Sequence, residues 1–303
     1  MRLSEILKGL EFKRKGPGAD PEIGRVTKDS RSVRSGDMFV AYRGYAQDGH
    51  GFIEDAVSRG AGTVVAEKDF AAPAGVEKIL VKETRAALPV IADNFYGHPS
   101  RVLKTVGVTG TNGKTTITYV IESILKKAGA NPGVIGTISY RIGGKKVPAL
   151  NTTPGALELQ GMLSEIAKSS DPYVVMEVSS HALDQRRVDK VLYDAAIFTN
   201  ITPEHLDYHK TPEEYFRAKA GIFDALKAGG VAILNNDDDK VAALKRSIKA
   251  PVITYGLKAA DVSAKNVRLS INNSKFDVIT PKGSFAVSTS LVGRHNVSNL
   301  LAA

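Results

Sequence analysis

The stretch Thr105-Val106-Gly107-Val108-Thr109-Gly110-Thr111-Asn112-Gly113-Lys114-Thr115-Thr116 constrains this chain more than any other, because an apolar strand runs into a glycine-rich turn and then a helix. Glycines let the backbone curl tightly enough to aim several N–H groups at one anion, and the helix presents its positive N-terminal end to the same place. In such a phosphate-binding loop Lys114 reaches the terminal phosphates of a nucleotide and the Thr115 hydroxyl holds Mg²⁺. The strict pattern has a glycine five residues before Gly113, where this chain has Val108. That departure points away from ordinary GTPases and motor ATPases. A glycine-rich turn with a chance lysine is the plainer alternative, and the strand and helix on either side argue against it.

At 303 residues the chain is long enough for two separate cores. Residues 1–100 read as a small α/β domain, with strands at 38–42, 63–66 and 79–81 and helices over 52–59 and 83–96. Pro89 either kinks the second helix or marks its start. Polar turns at 29–32 and 43–49 flank the first strand, either as ligand-gripping loops or as ordinary polar surface. Gly97-His98-Pro99-Ser100 breaks the pattern and sets the domain boundary. From 101 to 303 strands and helices alternate as in a mainly parallel sheet covered on both faces. Helices are expected at 116–128, 155–168, 212–226 and 239–248, and strands at 133–138, 173–178, 195–199, 231–234 and 252–255. Short strands between 262 and 287 read as a smaller antiparallel section. The fold class is therefore α/β, a small N-terminal domain followed by a central phosphate-loop domain.

Cysteine is absent, which excludes disulfide and thiolate chemistry and suits the cytoplasm. No apolar run approaches a signal peptide or a membrane span, so no membrane partner is expected. The formal net charge of +9 suggests anionic ligands. Scattered Lys and Arg with little aromatic interleaving favour phosphorylated small molecules over nucleic acid.

Three polar groups in the second half sit where packing alone would not put them. Glu177 lies inside the apolar run Tyr173-Val174-Val175-Met176-Glu177-Val178, where a carboxylate needs a cation or donors; Mg²⁺ and a structural ion pair both satisfy it. His205 follows the strand ending at Thr199, at the edge of the sheet that faces ligand, and is either a solvated loop residue or a site residue. Lys219 falls on the buried stripe of a helix that opens with the cap Thr211-Pro212-Glu213-Glu214. It either snorkels to the surface or, partly desolvated, reacts with CO₂ to give a carbamate that acts as a carboxylate towards metal.

Taken together, 109–116, Glu177-Val178-Ser179-Ser180-His181-Ala182-Leu183, Phe198-Thr199-Asn200, His205-Leu206-Asp207-Tyr208-His209, Ala218-Lys219 and Gly293-Arg294-His295-Asn296-Val297-Ser298-Asn299-Leu300-Leu301-Ala302-Ala303 resemble the Mur ligases of peptidoglycan synthesis. Adding Asp29-Ser30-Arg31 and Asn151-Thr152-Thr153-Pro154, the pattern is similar to the members that attach the third peptide residue. The resemblance implies a cytoplasmic, monomeric, ATP-dependent amide ligase with UDP-N-acetylmuramoyl-L-alanyl-D-glutamate as acceptor. The amine donor is a diamino acid, meso-diaminopimelate as the commoner choice in the family or L-lysine. It further implies that Gly110, Thr111, Asn112, Gly113, Lys114, Thr115 and Thr116 bind ATP, with Asn296 near the nucleotide. Thr115 and Glu177 would hold one Mg²⁺; Glu177, His205 and a carbamylated Lys219 would surround a second. Ser30 and the Tyr45-Ala46-Gln47 loop would hold the uridine nucleotide, although this chain has Gly44-Tyr45 where many relatives carry a histidine. Asn151, Thr152, Thr153, Ser179, Gln185 and Arg187 would line the path of the muramoyl dipeptide.

Relatives continue into a third domain that selects the amino acid, whereas this sequence stops at Ala303. The expectation is a chain of two domains, 1–100 for the UDP-sugar and 101–303 for ATP, that binds its acceptor but ligates poorly. Two rivals remain: another ligase of the same fold, such as a folylpolyglutamate synthase or another Mur ligase, and a non-catalytic nucleotide-binding module.

Overall fold

The computed structural model describes residues 1–45, 47–169 and 172–303. They form two compact units; the first is Met1–Pro99 joined by Gly155–Ser164 and Gln185–Lys190, and the second is the remainder.

In the first unit, strands β1 (Phe12–Lys15), β2 (Val26–Thr27), β3 (Met38–Val40), β4 (Thr63–Ala66) and β5 (Glu77–Val81) form a sheet in the order β1-β5-β4-β3-β2. Only β1 runs antiparallel to its neighbour. Alternate residues of a strand face opposite sides. Met38, Val40, Val65 and Ile79 pack with helices α1 (Leu3–Ile6) and α3 (Thr84–Phe95), while Phe39, Val64 and Ala66 pack with α2 (Ile53–Ser58). Pro89 stands inside α3, not at its start.

The second unit opens with the single turn α4 (Pro99–Val102), whose residues from Ser100 onward belong to it. Its strands are β6 (Lys104–Thr109), β7 (Gly133–Ile135), β8 (Ser139–Ile142), β9 (Lys145–Pro148), β10 (Tyr173–Glu177), β11 (Tyr193–Phe198), β12 (Leu226–Asn235), β13 (Val252–Gly256), β14 (Val262–Leu269), β15 (Ser274–Thr280) and β16 (Gly283–Thr289). They form one sheet in the order β16-β15-β14-β13-β12-β11-β6-β10-β7-β8-β9. The section from β7 through β10, β6, β11 and β12 to β14 is parallel, and both ends are antiparallel. The expected α/β class with an antiparallel section therefore holds, with a second antiparallel piece at β8–β9. That hairpin turns through Gly143 (φ 55°) and Gly144 (φ 79°), the two positive φ values a tight type I′ turn requires.

Helices α5 (Lys114–Lys127), α6 (Ala156–Ala167), α7 (Ser180–Asp184), α8 (Leu206–His209), α9 (Pro212–Ala220), α10 (Asp239–Ala243) and α11 (Arg294–Ala302) complete the chain. The helix expected over 212–226 is shorter: α9 gives way to a 3₁₀ turn at Gly221–Ala225, and Leu226 already begins β12. The strand expected over 133–138 ends at Ile135, and beyond it the Thr137 N–H donates to Glu177 Oε1 at 3.0 Å in place of a neighbouring strand. β6 lies between β10 and β11, in a register that sets Glu177 beside Val108 and Phe198 beside Thr109. The segments leaving these three strands consequently emerge at one edge, where ligands bind in sheets of this kind.

Candidate active site

Gly110 leaves β6 at φ 140°, and a Cβ there would overlap Thr199 Oγ1; Gly113 caps α5 at φ 91°, and a Cβ there would overlap Asn299 Oδ1 of α11. Side chains are thus excluded from both bends, leaving backbone N–H groups to line the turn at the helix N-terminus. The turn is pinned from the β11 side: Thr111 N–H donates to the Asn200 carbonyl at 2.9 Å, Asn112 N–H to Asn200 Oδ1 at 3.0 Å, and Thr199 Oγ1 to the Asn112 carbonyl at 2.6 Å. Lys114 folds back, Nζ donating to the Gly110 and Thr111 carbonyls at 2.8 Å each. Thr116 continues α5 half-buried.

Glu177 is 1% exposed at the end of β10. Its Oε2 accepts from Thr115 Oγ1 at 2.9 Å and from Thr137 Oγ1 at 3.0 Å, and its Oε1 accepts from Thr137 N–H at 3.0 Å. Thr137 was not anticipated from the sequence. It sits in a polar loop after a short strand, and nothing in Gly136-Thr137-Ile138 signals a ligand until its pairing with Glu177 is known.

Lys219 does not snorkel. It is 2% exposed in α9, its ammonium donating to the Gly110 carbonyl at 2.7 Å and lying 4.6 Å from the Tyr215 ring centre. Burial, then the nearby charge of Lys114, lowers its pKa to about 7, and burial lowers that of Lys114 as well. His205 is exposed, in the left-handed region at φ 56°, with its ring edge-on to His181 at 4.9 Å. His209, buried, holds Ser180 Oγ at 2.9 Å and has its pKa lowered by burial.

Thr115, Glu177 and the two lysines therefore converge on the loop, with His205 in the adjoining histidine cluster. Among the described residues no three His, Cys, Asp or Glu side chains gather into a metal cage. The hydroxyl and carboxylate oxygens of Thr115 and Glu177 are nonetheless the hard donors Mg²⁺ takes, two of them sufficing where phosphates and water supply the rest.

Thr152 Oγ1 is 3.0 Å from Thr137 Oγ1, and Thr153 Oγ1 donates to the Glu177 carbonyl at 2.9 Å while accepting from Ser179 N–H at 3.1 Å. The carbonyl of Asn151 accepts from Tyr140 OH at 2.5 Å. Asn296 accepts, through Oδ1, from Asn299 Nδ2 at 3.2 Å, so it is Asn299 that meets the loop.

In the first unit a cleft of about 710 Å³ is lined by Lys28, Asp29, Ser30, Arg31, Tyr42, Gly44, Gln47, Gly49, Phe52 and Asp55. It includes Ser30 and Gln47; Tyr45 is exposed beside it in sequence with the Arg85 guanidinium 5.0 Å from its ring, and Ala46 lies outside the described residues. Lys28, Tyr42 and Phe52 were not singled out from the sequence. Gln185 and Arg187 belong to the same unit and bond each other, Arg187 Nε donating to Gln185 Oε1 at 3.0 Å. No helix of the described residues is long and apolar enough to cross a membrane.

Residues 108–303 match the family profile "Mur ligase middle domain", and residues 22–96 match "Mur ligase family, catalytic domain". A UDP-N-acetylmuramoyl-L-alanyl-D-glutamate–2,6-diaminopimelate ligase of Geobacter sulfurreducens is 47% identical over 289 residues, covering 93% of this chain and 57% of the relative. The protein of that name from Geobacillus thermodenitrificans is 43% identical, covering 100% and 63%. A solved structure of the same description superposes with a TM-score of 0.83, with 30% identity over 100% of this chain and 62% of that one. The chain spans about six-tenths of the length of these proteins.

Proposed function

The chain belongs to the Mur ligase family, and from that premise we propose that it provides the nucleotide and acceptor sites of an ATP-dependent amide ligase of peptidoglycan precursor synthesis. UDP-N-acetylmuramoyl-L-alanyl-D-glutamate is the acceptor and 2,6-diaminopimelate the amine donor, a pair taken from the names of the relatives. The observation that carries the proposal is the Thr115–Glu177 pair beside a phosphate loop whose Gly110 carbonyl receives both Lys114 and Lys219.

The acceptor's D-glutamyl carboxylate attacks the γ-phosphate of ATP, releasing ADP; the diamino acid's amine then displaces phosphate from the resulting acyl phosphate. Two anions must meet, so the site needs concentrated positive charge. Lys114 exchanges its two carbonyl partners for phosphate oxygens, and the N–H groups of 110–116 hold the remainder. Thr115 and Glu177 hold Mg²⁺; Glu177, His205 and Lys219 as its carbamate hold a second ion. Burial of Lys219 and its lowered pKa of about 7 support the carbamate, since only the neutral amine adds CO₂. Ser30, Tyr45, Ala46 and Gln47 hold the uridine nucleotide in the first unit, Asn151, Thr152, Thr153, Ser179, Gln185 and Arg187 serve the muramoyl dipeptide, and Asn296 lies near the nucleotide. On this reading the protein acts in the cytoplasm as a monomer.

Calorimetric titration tests the acceptor. UDP-N-acetylmuramoyl-L-alanyl-D-glutamate should bind more tightly than UDP-N-acetylmuramoyl-L-alanine. Equal affinity, or no binding of either, would overturn the assignment.

A further inference from the structure

We propose that Thr137 is a positioning residue, fixing the Glu177 carboxylate for the magnesium–nucleotide complex and tying it to the Asn151–Thr153 segment; the inference rests on the ligase reading above. Thr137 holds both oxygens of one carboxylate, Oε1 through its backbone N–H and Oε2 through its hydroxyl, each at 3.0 Å. Two such contacts fix a side chain against rotation about its last bond.

The direction of the hydrogen bonds follows from the groups present. A carboxylate only accepts, and each threonine hydroxyl has one proton. Thr115 and Thr137 therefore both give their protons to Glu177 Oε2. Thr115 keeps its lone pairs for a cation. Thr137, its proton committed, accepts from Thr152 at 3.0 Å. The chain thus runs from Thr152 through Thr137 to Glu177 and meets Thr115 there. A parallel route joins Thr153 Oγ1 to the backbone carbonyl of Glu177 at 2.9 Å. The loop after β7 and the segment after β9 are consequently linked to Glu177 at the end of β10, and through its carboxylate to Thr115 of the phosphate loop.

The backbone at Gly136 explains how Thr137 comes so close. A Cβ at that position would overlap Glu177 Oε1, so the approach that lets the Thr137 N–H reach the carboxylate requires glycine before it. Thr137 is itself exposed whereas Glu177 is buried, so the hydroxyl can be removed at the surface without opening the core.

Groups that orient a metal-binding carboxylate change metal affinity by about ten- to a hundredfold when removed. The test is calorimetric titration of the 303-residue chain with ATP, with and without Mg²⁺. In Thr137→Val the tightening of ATP binding by Mg²⁺ should fall by about tenfold or more, with Mg²⁺-free affinity unchanged, and Thr137→Ser should restore it. A general structural defect would weaken both titrations together and would count against the proposal. A wild-type enhancement that persists undiminished in Thr137→Val would overturn this inference alone. A wild-type chain with no Mg²⁺ enhancement would overturn the ligase reading and this inference with it.

Discussion

Lys114 and Lys219 converge on a single acceptor, the Gly110 carbonyl oxygen, at 2.8 and 2.7 Å. Two ammonium groups at one carbonyl repel each other, and Lys219 is the more deeply buried of the two.

Stability should therefore depend on pH in a defined direction. Folding lowers the Lys219 pKa from 10.5 to about 7. Between those values the unfolded chain holds a proton that the folded chain has released, so stability rises with pH, by up to about 1.4 kcal/mol per unit. Below about pH 7 the full penalty applies. Lys219→Met should be more stable than wild type at neutral pH and show a shallower slope. Urea unfolding of both proteins across this range in CO₂-free buffer checks the sign.

Carbamylation of Lys219 predicts uptake of one CO₂ per chain under bicarbonate, detectable by intact mass after covalent trapping. Lys219→Met should show none. Equal uptake by both proteins would assign the modification elsewhere.

Gly113→Ala forces a side chain into the left-handed region, at a cost of about 1–2 kcal/mol, and against Asn299 Oδ1. ATP affinity should fall by at least about tenfold, the factor that corresponds to 1.4 kcal/mol. Gly113→Ala combined with Asn299→Ala should recover part of the stability but little of the affinity, since the φ requirement remains.

Glu177→Gln keeps the shape but removes the charge. Chelation of Mg²⁺ should then alter ATP affinity in the wild type and have a much smaller effect in the variant, read by the same titration with EDTA.

Ser30 is buried and lines the 710 Å³ cleft. Ser30→Ala should weaken UDP binding by about two- to tenfold, the range of one neutral hydrogen bond, and leave ATP binding unchanged.

The phosphate loop was legible because its chemistry is contiguous: strand, glycines, lysine and threonine lie within 105–116, and Glu177 is conspicuous as a carboxylate in an apolar strand. Lys219 was legible from helical spacing as buried, but not where its amine would point, because Gly110 lies 109 residues away. Thr137 escaped notice, and Asn299, quoted only as part of the terminal motif, was given no role, for a related reason. Each is an ordinary polar residue whose meaning comes from one distant partner, Glu177 or Gly113. The β8–β9 hairpin was missed although Gly143-Gly144 is a strong turn signal, since its flanking strands carry little alternation.

That hairpin has a further consequence. β9 borders an eleven-stranded sheet, and all four of its residues, Lys145, Lys146, Val147 and Pro148, are exposed. Adjacent positive charges repel an identical incoming strand, and proline has no amide proton to offer it. In concentrated solution this border should resist edge-to-edge aggregation, so that Lys145→Val with Lys146→Val would be expected to lower solubility without altering the Gly110–Thr116 turn.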